Sequence, residues 1–357
     1  MWAWIKRALW ALIAMVLLAW VWLKLSLVFS THEYAQLSPE QQAQADAYLV
    51  DKLTPVPAAW EWSEFYPEEG VRLRTGLMMH PNPKGTVVVV PGFTGTMEML
   101  MREIVQLYAA GFSVASLEYR GQGDSWRPLP HPEKGYVEDY AGLGHDLALF
   151  AESLETQGQP LFFFSISKGA HITLRMALEQ AVDVSAYALI VPMVKINTGD
   201  FDYDLAANLA QWATRLGLGA LYAPGQSAWP TGEDVAFGTA TGCNANPETA
   251  QSQSALFAQR ETLRTRGTTY RWIKETAESS AFLMDDADKS SLQAPVLMVT
   301  AGVDTLVDTS VARAFCVELP NCVEQHRADS RHCITRESMP VYDDIVQSAI
   351  AHFERAL

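Results

Sequence analysis

The sequence predicts an α/β fold: a mostly parallel sheet with helices on both faces, interrupted by a helical insertion and preceded by one apolar helix of membrane length. Three observations predict it. From residue 70 onward strand, turn and helix patterns alternate, the rhythm of a parallel sheet with crossover helices. The strand run Thr86 to Val90 (TVVVV) is continuous and β-branched and not alternating, as strands covered on both faces are, and the other strand runs look similar. Between about Lys195 and Ser290 the rhythm stops, and at Pro295 it resumes. Composition agrees: 357 residues, 49% hydrophobic and 19% charged, are too many for a disulfide-stapled module and too apolar for a disordered chain. A net charge of −15 argues against a protein that neutralises a nucleic-acid backbone, so no nucleic-acid partner is expected.

Residues 1–29 read as a transmembrane anchor. Lys6 and Arg7 precede an uncharged run from Ala8 to Leu23, and after Lys24 the apolar stretch continues to Phe29. Ala8 to Phe29 as a helix spans about 33 Å, enough for a hydrocarbon core if Lys24 snorkels. Five of the 11 tryptophans fall here, four of them near the two ends, where interfacial indoles prefer to sit. The basic pair puts the N-terminus in the cytoplasm and the remaining chain outside it, in the periplasm if the cell is bacterial. The alternatives are a signal peptide cleaved to release a secreted protein, although Val28-Phe29-Ser30 makes a poor cleavage site, and a buried soluble helix.

Residues 30–69 form a connector, in which Ser38-Pro39-Glu40-Gln41 has the form of a capping box opening a short helix to about Leu53. The core then occupies residues 70–194 and 291–357. Val71 to Met79 adds an antiparallel edge. Thr86 to Val90, Ser113 to Tyr119, Leu161 to Ser165, Tyr187 to Val191 and Pro295 to Thr300 are the buried strands, with a further strand around Cys322 to His326 before the final helix. Residues 195–290, with helical patches at Leu205 to Leu216, Pro247 to Arg266 and Tyr270 to Met284, read as a helical lid over the sheet's carboxyl edge, where α/β folds bind ligands.

The strongest chemical signal is Leu161 to Ala170 (LFFFSISKGA), a buried strand that meets a helix through one tight turn with Ser167 at its tip. It has the form of the nucleophile elbow G-x-S-x-G, with Ser165 in place of the first glycine. The competing reading is a serine that only caps a helix. A serine hydroxyl needs a base, because it is weakly nucleophilic at neutral pH. In chain order after Ser167, Asp304 lies in the loop after Pro295 to Thr300, and His332 lies in a polar loop before the final helix. His332 would take the Ser167 proton and Asp304 would hold the imidazole, with Asp308 as the alternative acid. The backbone N–H groups of Lys168 and Phe93 are the expected oxyanion donors, Phe93 standing in the turn Pro91-Gly92-Phe93-Thr94-Gly95 after the first buried strand. Cys243, Cys316, Cys322 and Cys333 include no C-x-x-C pair, so no structural metal site is expected.

Together these residues resemble the α/β-hydrolase superfamily, and within it the bacterial lysophospholipase and monoacylglycerol-lipase-like group. Glu118 to Ser125 (EYRGQGDS) resembles that group's R-G-x-G-x-S loop, Gly135 to Tyr140 the segment leading to its next helix, and Thr269 to Trp272 a stretch late in its lid. The likeness runs from about residue 70 to 357. Ser165 at the elbow and Pro91, where many relatives carry histidine, depart from it. The resemblance implies the α/β-hydrolase fold and a serine hydrolase cleaving carboxylic esters of single-chain lipids, lysophospholipid or monoacylglycerol, without metal or organic cofactor. An amidase or peptidase on the same triad and a non-catalytic lipid-binding homologue are the alternatives. Outside the cytoplasm the cysteines can be oxidised, with a local Cys316–Cys322 bridge and a Cys243–Cys333 bridge from lid to core among the pairings, and free buried thiols as the alternative.

Overall fold

The computed structural model describes residues 2–29, 33–156, 158–229, 243, 246, 252–337 and 340–357. Eight strands form one sheet: β1 (Glu61–Glu68), β2 (Val71–Met78), β3 (Thr86–Val90), β4 (Ser113–Leu117), β5 (Leu161–Ile166), β6 (Ala186–Ile190), β7 (Val296–Ala301) and β8 (Cys322–Arg327). The helices are α1 (Trp2–Phe29), α2 (Pro39–Lys52), α3 (Met101–Ala109), α4 (Tyr140–Ser153), α5 (Lys168–Glu179), α6 (Tyr203–Arg215), α7 (Ser252–Gln259), α8 (Tyr270–Ala281), α9 (Thr309–Glu318) and α10 (Val341–Glu354). The strand order is β1-β2-β4-β3-β5-β6-β7-β8. The pairs β1/β2 and β2/β4 are antiparallel, and all others are parallel.

The β-branched run of β3 carries the core to both faces. Val88 and Val90 join one apolar layer with Leu147 and Phe150 of α4, Leu174 of α5 and Phe315 of α9. Val87 and Val89 join the other with Ile104 and Leu107 of α3 and Ile345 and Phe353 of α10. Strand period and two-sided burial are therefore the same fact, as the apolar runs required.

The edge of the sheet differs from expectation. Val71–Met78 is antiparallel, but it is the second strand, and the edge is β1, inside the segment read as connector. Glu61, Glu64, Pro67 and Glu68 give that segment charge and a proline, which are what an exposed edge strand carries. The Ser38 capping box forms: Ser38 Oγ accepts from the Gln41 amide, and Gln41 Oε1 accepts from the Ser38 amide. The helix it opens is packed against the insertion, with Ala45 and Leu49 of α2 against Ala255 and Leu256 of α7.

Between β6 and β7 the described residues form α6, α7 and α8 with no strand beyond isolated bridges. The expected helical patch from Pro247 to Arg266 is helical over α7, while residues 247–251 lie outside the described residues. Within α1, Trp4–Ser26 is long and apolar enough to cross a membrane, about 34 Å at the rise of a helix. Its side chains are exposed from Trp4 to Trp22, which sets aside a buried soluble helix. Near its end Trp20 Nε1 donates to the Leu216 carbonyl at 3.0 Å and Lys24 Nζ to the Gly217 carbonyl at 2.6 Å, just past α6.

Candidate active site

Ser167 sits between the end of β5 and the start of α5 with φ 52° and ψ −114°. A non-glycine residue there is strained by roughly 1–3 kcal/mol, and the surroundings hold it. The Ser167 amide donates to the Ile190 carbonyl on β6, and the Ser167 carbonyl accepts from the amides of His171 and Met193. Gly169 allows the close crossing of helix and strand: a Cβ there would lie 2.5 Å from the Pro91 carbonyl oxygen and 2.6 Å from that of Val90. Ser165 has no such constraint. Its backbone φ is not positive, and its buried hydroxyl lies 2.7 Å from Thr173 Oγ1. Thr173 donates its own proton to the Gly169 carbonyl, so Ser165 donates to Thr173 and is satisfied without a glycine.

Three residues far apart in the chain meet at this turn. His332 Nε2 lies 2.8 Å from Ser167 Oγ, and His332 Nδ1 lies 2.6 Å from Asp304 Oδ2. An ionised carboxylate only accepts, so Nδ1 carries the proton and Nε2 is left to accept from the Ser167 hydroxyl. The other Asp304 oxygen accepts from the amides of Leu306 and Val307 at 2.8 and 3.0 Å, which fixes the carboxylate in its loop. Asp308, the alternative acid, caps α9 through the amides of Ser310 and Val311 and does not reach the imidazole.

The turn after β3 lies against the elbow, since a Cβ on Gly92 would come within 3.3 Å of the Ser167 Cβ. Among the described residues neither the Phe93 nor the Lys168 amide donates to an acceptor within the chain. The buried Gln122 carboxamide holds this turn: its Nε2 donates to the carbonyls of Gly92 (2.6 Å) and Gly95 (2.8 Å), and its Oε1 accepts from the Thr94 amide (2.9 Å). Nearby, buried Glu118 accepts from the amides of Met97 and Asp124 and pairs with Arg74 at 3.2 Å. On the helix side, His171 donates through Nδ1 to the Met193 carbonyl and accepts through Nε2 from Ser279 of α8. Burial lowers that imidazole to about 3, so it stays neutral.

The Lys168 side chain is buried among the rings of Tyr119, Phe93 and Tyr140, with its ammonium 4.6 Å from the Tyr119 centroid. Burial lowers it to about 7 from its ordinary value. The folded chain then binds fewer protons at Lys168 than the unfolded chain between about pH 7 and pH 10. The penalty of burying the charge is full below that window and fades as pH rises through it. Lys168→Met is therefore expected to stabilise the fold at pH 6 and to converge with the parent toward pH 10. Denaturant unfolding at the two pH values reads this, and a gain confined to alkaline pH would contradict it.

Ser167 and His332 open into a cavity of about 640 Å³. One part of its wall is apolar, with Ile196, Phe201, Leu209, Trp272, Ile273 and Leu306. Another is polar, with Thr94, Gln253, Thr335 and Arg336. Disulfides join Cys243 to Cys333 and Cys316 to Cys322, and among the described residues there is no free cysteine. The first bridge ties the segment before α7 to the residue after His332. Sequence reasoning missed Gln122, Gln253 and Arg336. The R-G-x-G-x-S likeness pointed to the loop that holds Gln122, but not to the carboxamide's partners.

Comparison with known proteins agrees with this architecture. Residues 81–339 match the Hydrolase_4 family, described as serine aminopeptidase, S33. The chain is 24% identical over 289 residues to lysophospholipase L2 of Escherichia coli strain K12, covering 79% of this chain and 82% of that protein. Among solved structures, a soluble variant of monoglyceride lipase from Saccharomyces cerevisiae, in complex with a substrate analog, superposes with a TM-score of 0.65 at 16% identity, covering 85% of this chain and 96% of the other. Monoacylglycerol lipase of Paleococcus ferrophilus gives 0.58 at 16% identity, covering 78% and 99%. At these identities the structural likenesses speak to the fold alone. The elbow, the eight-stranded sheet and a family match over most of its length make this chain an α/β-hydrolase of the Hydrolase_4 family, a serine hydrolase of the lipase and esterase group.

Proposed function

We propose that the protein hydrolyses carboxylic esters of single-chain lipids, lysophospholipid or monoacylglycerol, through an acyl-enzyme on Ser167. The observation that carries this is the hydrogen-bonded line Ser167–His332–Asp304 at the wall of a cavity with a large apolar part. In the first half-reaction His332 Nε2 takes the hydroxyl proton as Ser167 Oγ attacks the ester carbonyl, and Asp304 stabilises the imidazolium. The Phe93 and Lys168 amides receive the developing oxyanion. His332 then returns the proton to the departing glycerol oxygen, leaving the acyl group on Ser167. In the second half a water loses its proton to His332, attacks the acyl carbon, and the fatty acid leaves as Ser167 regains its hydrogen.

Residues 195–290 act as a lid over this site, and residues 1–29 as its membrane tether, with the catalytic body outside the cytoplasm. Two disulfides support an oxidising compartment. Leu205, Leu209 and Trp212 of α6 and Leu216 at its C-cap recur at helical spacing and are all exposed, with Phe201 just ahead of them. Because Trp20 and Lys24 of α1 bond to the Leu216 and Gly217 carbonyls, this apolar face lies next to the tether, and Phe201 and Leu209 also line the cavity. Such a face suits a lipid surface from which a single-chain substrate can enter.

The family description favours a second reading, an aminopeptidase on the same residues. Against it, the described cavity wall holds no Asp or Glu to receive a substrate's α-ammonium group. The name of the Escherichia coli relative and those of the lipase structures favour the ester. Incubating the full chain with long-chain lysophospholipid, monoacylglycerol and aminoacyl amides tests the choice. Release of fatty acid from the lipids is expected, and turnover of the amides alone would overturn the proposal.

A further inference from the structure

We propose that His171, outside the triad, is a positioning residue for the reaction: it holds the backbone that grips Ser167 and ties it to helix α8. This rests on Ser167 being the nucleophile, as in the reading above. The first ground is the frame around that residue. The segment after β6 grips Ser167 on both sides, because the Ile190 carbonyl accepts from the Ser167 amide at 2.9 Å and the Met193 amide donates to the Ser167 carbonyl at 3.2 Å. Between those two contacts stands Val191 with φ 44°, a conformation that a β-branched residue rarely adopts. Two strained residues thus share one pair of hydrogen bonds, and neither conformation lasts unless its surroundings hold it.

The second ground is direction. His171 Nδ1 lies 2.6 Å from the Met193 carbonyl oxygen and His171 Nε2 lies 2.6 Å from Ser279 Oγ. Arg175 Nη1 donates to the same Ser279 oxygen at 2.6 Å. A guanidinium only donates and a carbonyl only accepts, so both ends of this line are fixed. Arg175 donates to Ser279, Ser279 to His171 Nε2, His171 Nδ1 to the Met193 carbonyl, and the Met193 amide to Ser167. Arg175 is itself held by two bonds to Glu179, at 2.6 and 2.8 Å. The line needs an imidazole that donates at one nitrogen and accepts at the other, and complete burial keeps His171 in that neutral form.

The third ground is α8 itself. Trp272, Thr276 and Ser279 recur at helical spacing and share one face of that helix. The Trp272 ring packs on the Phe93 ring with centroids 5.1 Å apart, and Thr276 Oγ1 lies 2.9 Å from the Tyr140 hydroxyl. The same face therefore reaches the oxyanion turn through Phe93 and the nucleophile turn through His171. A helix bonded in this way belongs to the frame of the site, although its place in the chain is within the lid segment.

Kinetics on a soluble ester and the rate of fluorophosphonate labelling, both on the full-length chain in micelles, read the relay. His171→Gln places its amide where Nε2 was and leaves the Met193 carbonyl without a donor. It is expected to lower kcat and the labelling rate by about tenfold to a hundredfold with KM nearly unchanged. His171→Asn, whose amide nitrogen takes the place of Nδ1, should restore part of both rates. The milder Ser279→Ala leaves the imidazole without its donor and should cost about threefold to tenfold, the scale of one hydrogen bond. Phe353→Leu, in the other apolar layer, is the control, expected to lower Tm without lowering either rate. An unchanged labelling rate in Ser279→Ala, or equal rates in the two His171 variants, would overturn the relay. If neither His171 variant folds, Ser279→Ala alone decides. Absence of label on Ser167 in the unsubstituted chain would instead overturn the nucleophile assignment. Amide exchange at Met193, faster in His171→Gln than in His171→Asn, still decides whether His171 holds the turn.

Discussion

Ser167→Ala and His332→Ala are each expected to lower kcat by about a millionfold on any ester the protein cleaves, and Asp304→Asn by about ten-thousandfold. The inequality follows from the geometry. Without the hydroxyl there is no nucleophile, and without the imidazole nothing accepts its proton at 2.8 Å. Asp304 only orients the ring and stabilises its cation. Asparagine in its place can turn its amide toward Nδ1 and favour the wrong tautomer, leaving a base that is present but protonated on the wrong nitrogen. Because the three act as one unit, Ser167→Ala combined with His332→Ala should be no slower than either alone. Asp308→Ala gives the contrast, because that side chain caps α9 and its loss should weaken the fold by about 1 kcal/mol with little effect on turnover. Steady-state kinetics on one soluble ester measures the series. Additive losses, or an Asp308 variant as slow as the Asp304 variant, would contradict the assignment.

Gln122→Met is expected to lower kcat by about a hundredfold with little change in KM, the scale of losing one oxyanion donor. Methionine keeps the length and loses every hydrogen bond. The carbonyls of Gly92 and Gly95 and the amide of Thr94 would then be released together, and with them the turn that presents the Phe93 amide. Thr94 has φ 63°, so the turn holds a strained residue ready to relax once the clamp is gone. A residue that merely stabilised the fold would lower Tm without separating kcat from KM. The separating readout is a trifluoromethyl ketone, which forms a tetrahedral oxyanion on the nucleophile. Its affinity should fall in step with kcat, while that of the uncleavable ether analogue of the substrate holds. Parallel losses for both inhibitors would remove Gln122 from this role.

Much of this arrangement was legible in the chain because it is written in local patterns. A valine run covered on both faces names a central strand, and a strand–serine–helix junction names its own sharp turn. The order serine, acid, histidine then locates two loops at strand ends. What was not legible depends on contacts with no local signature. β1 hides behind Glu61, Glu64 and Glu68, since an edge strand with one exposed side looks like a loop. Gln122 sits in a motif whose glycines are readable, but a carboxamide's three partners are set only when the turn after β3 folds onto it. The meeting of Arg336 with Gln253 joins positions 83 residues apart through a turn shaped partly by the Cys243–Cys333 bridge, and four cysteines do not declare their pairing. Ser165 reads the other way: a departure from the usual elbow glycine becomes ordinary once Thr173 stands opposite it as an acceptor.

The most direct test is to label the full-length protein with a fluorophosphonate and locate the adduct by peptide mass spectrometry. Such probes phosphonylate a serine whose proton a neighbouring base removes. One equivalent on the peptide carrying Ser167, abolished by His332→Ala, is the predicted result. A folded protein that takes up no label, or takes it on another serine, would contradict the account.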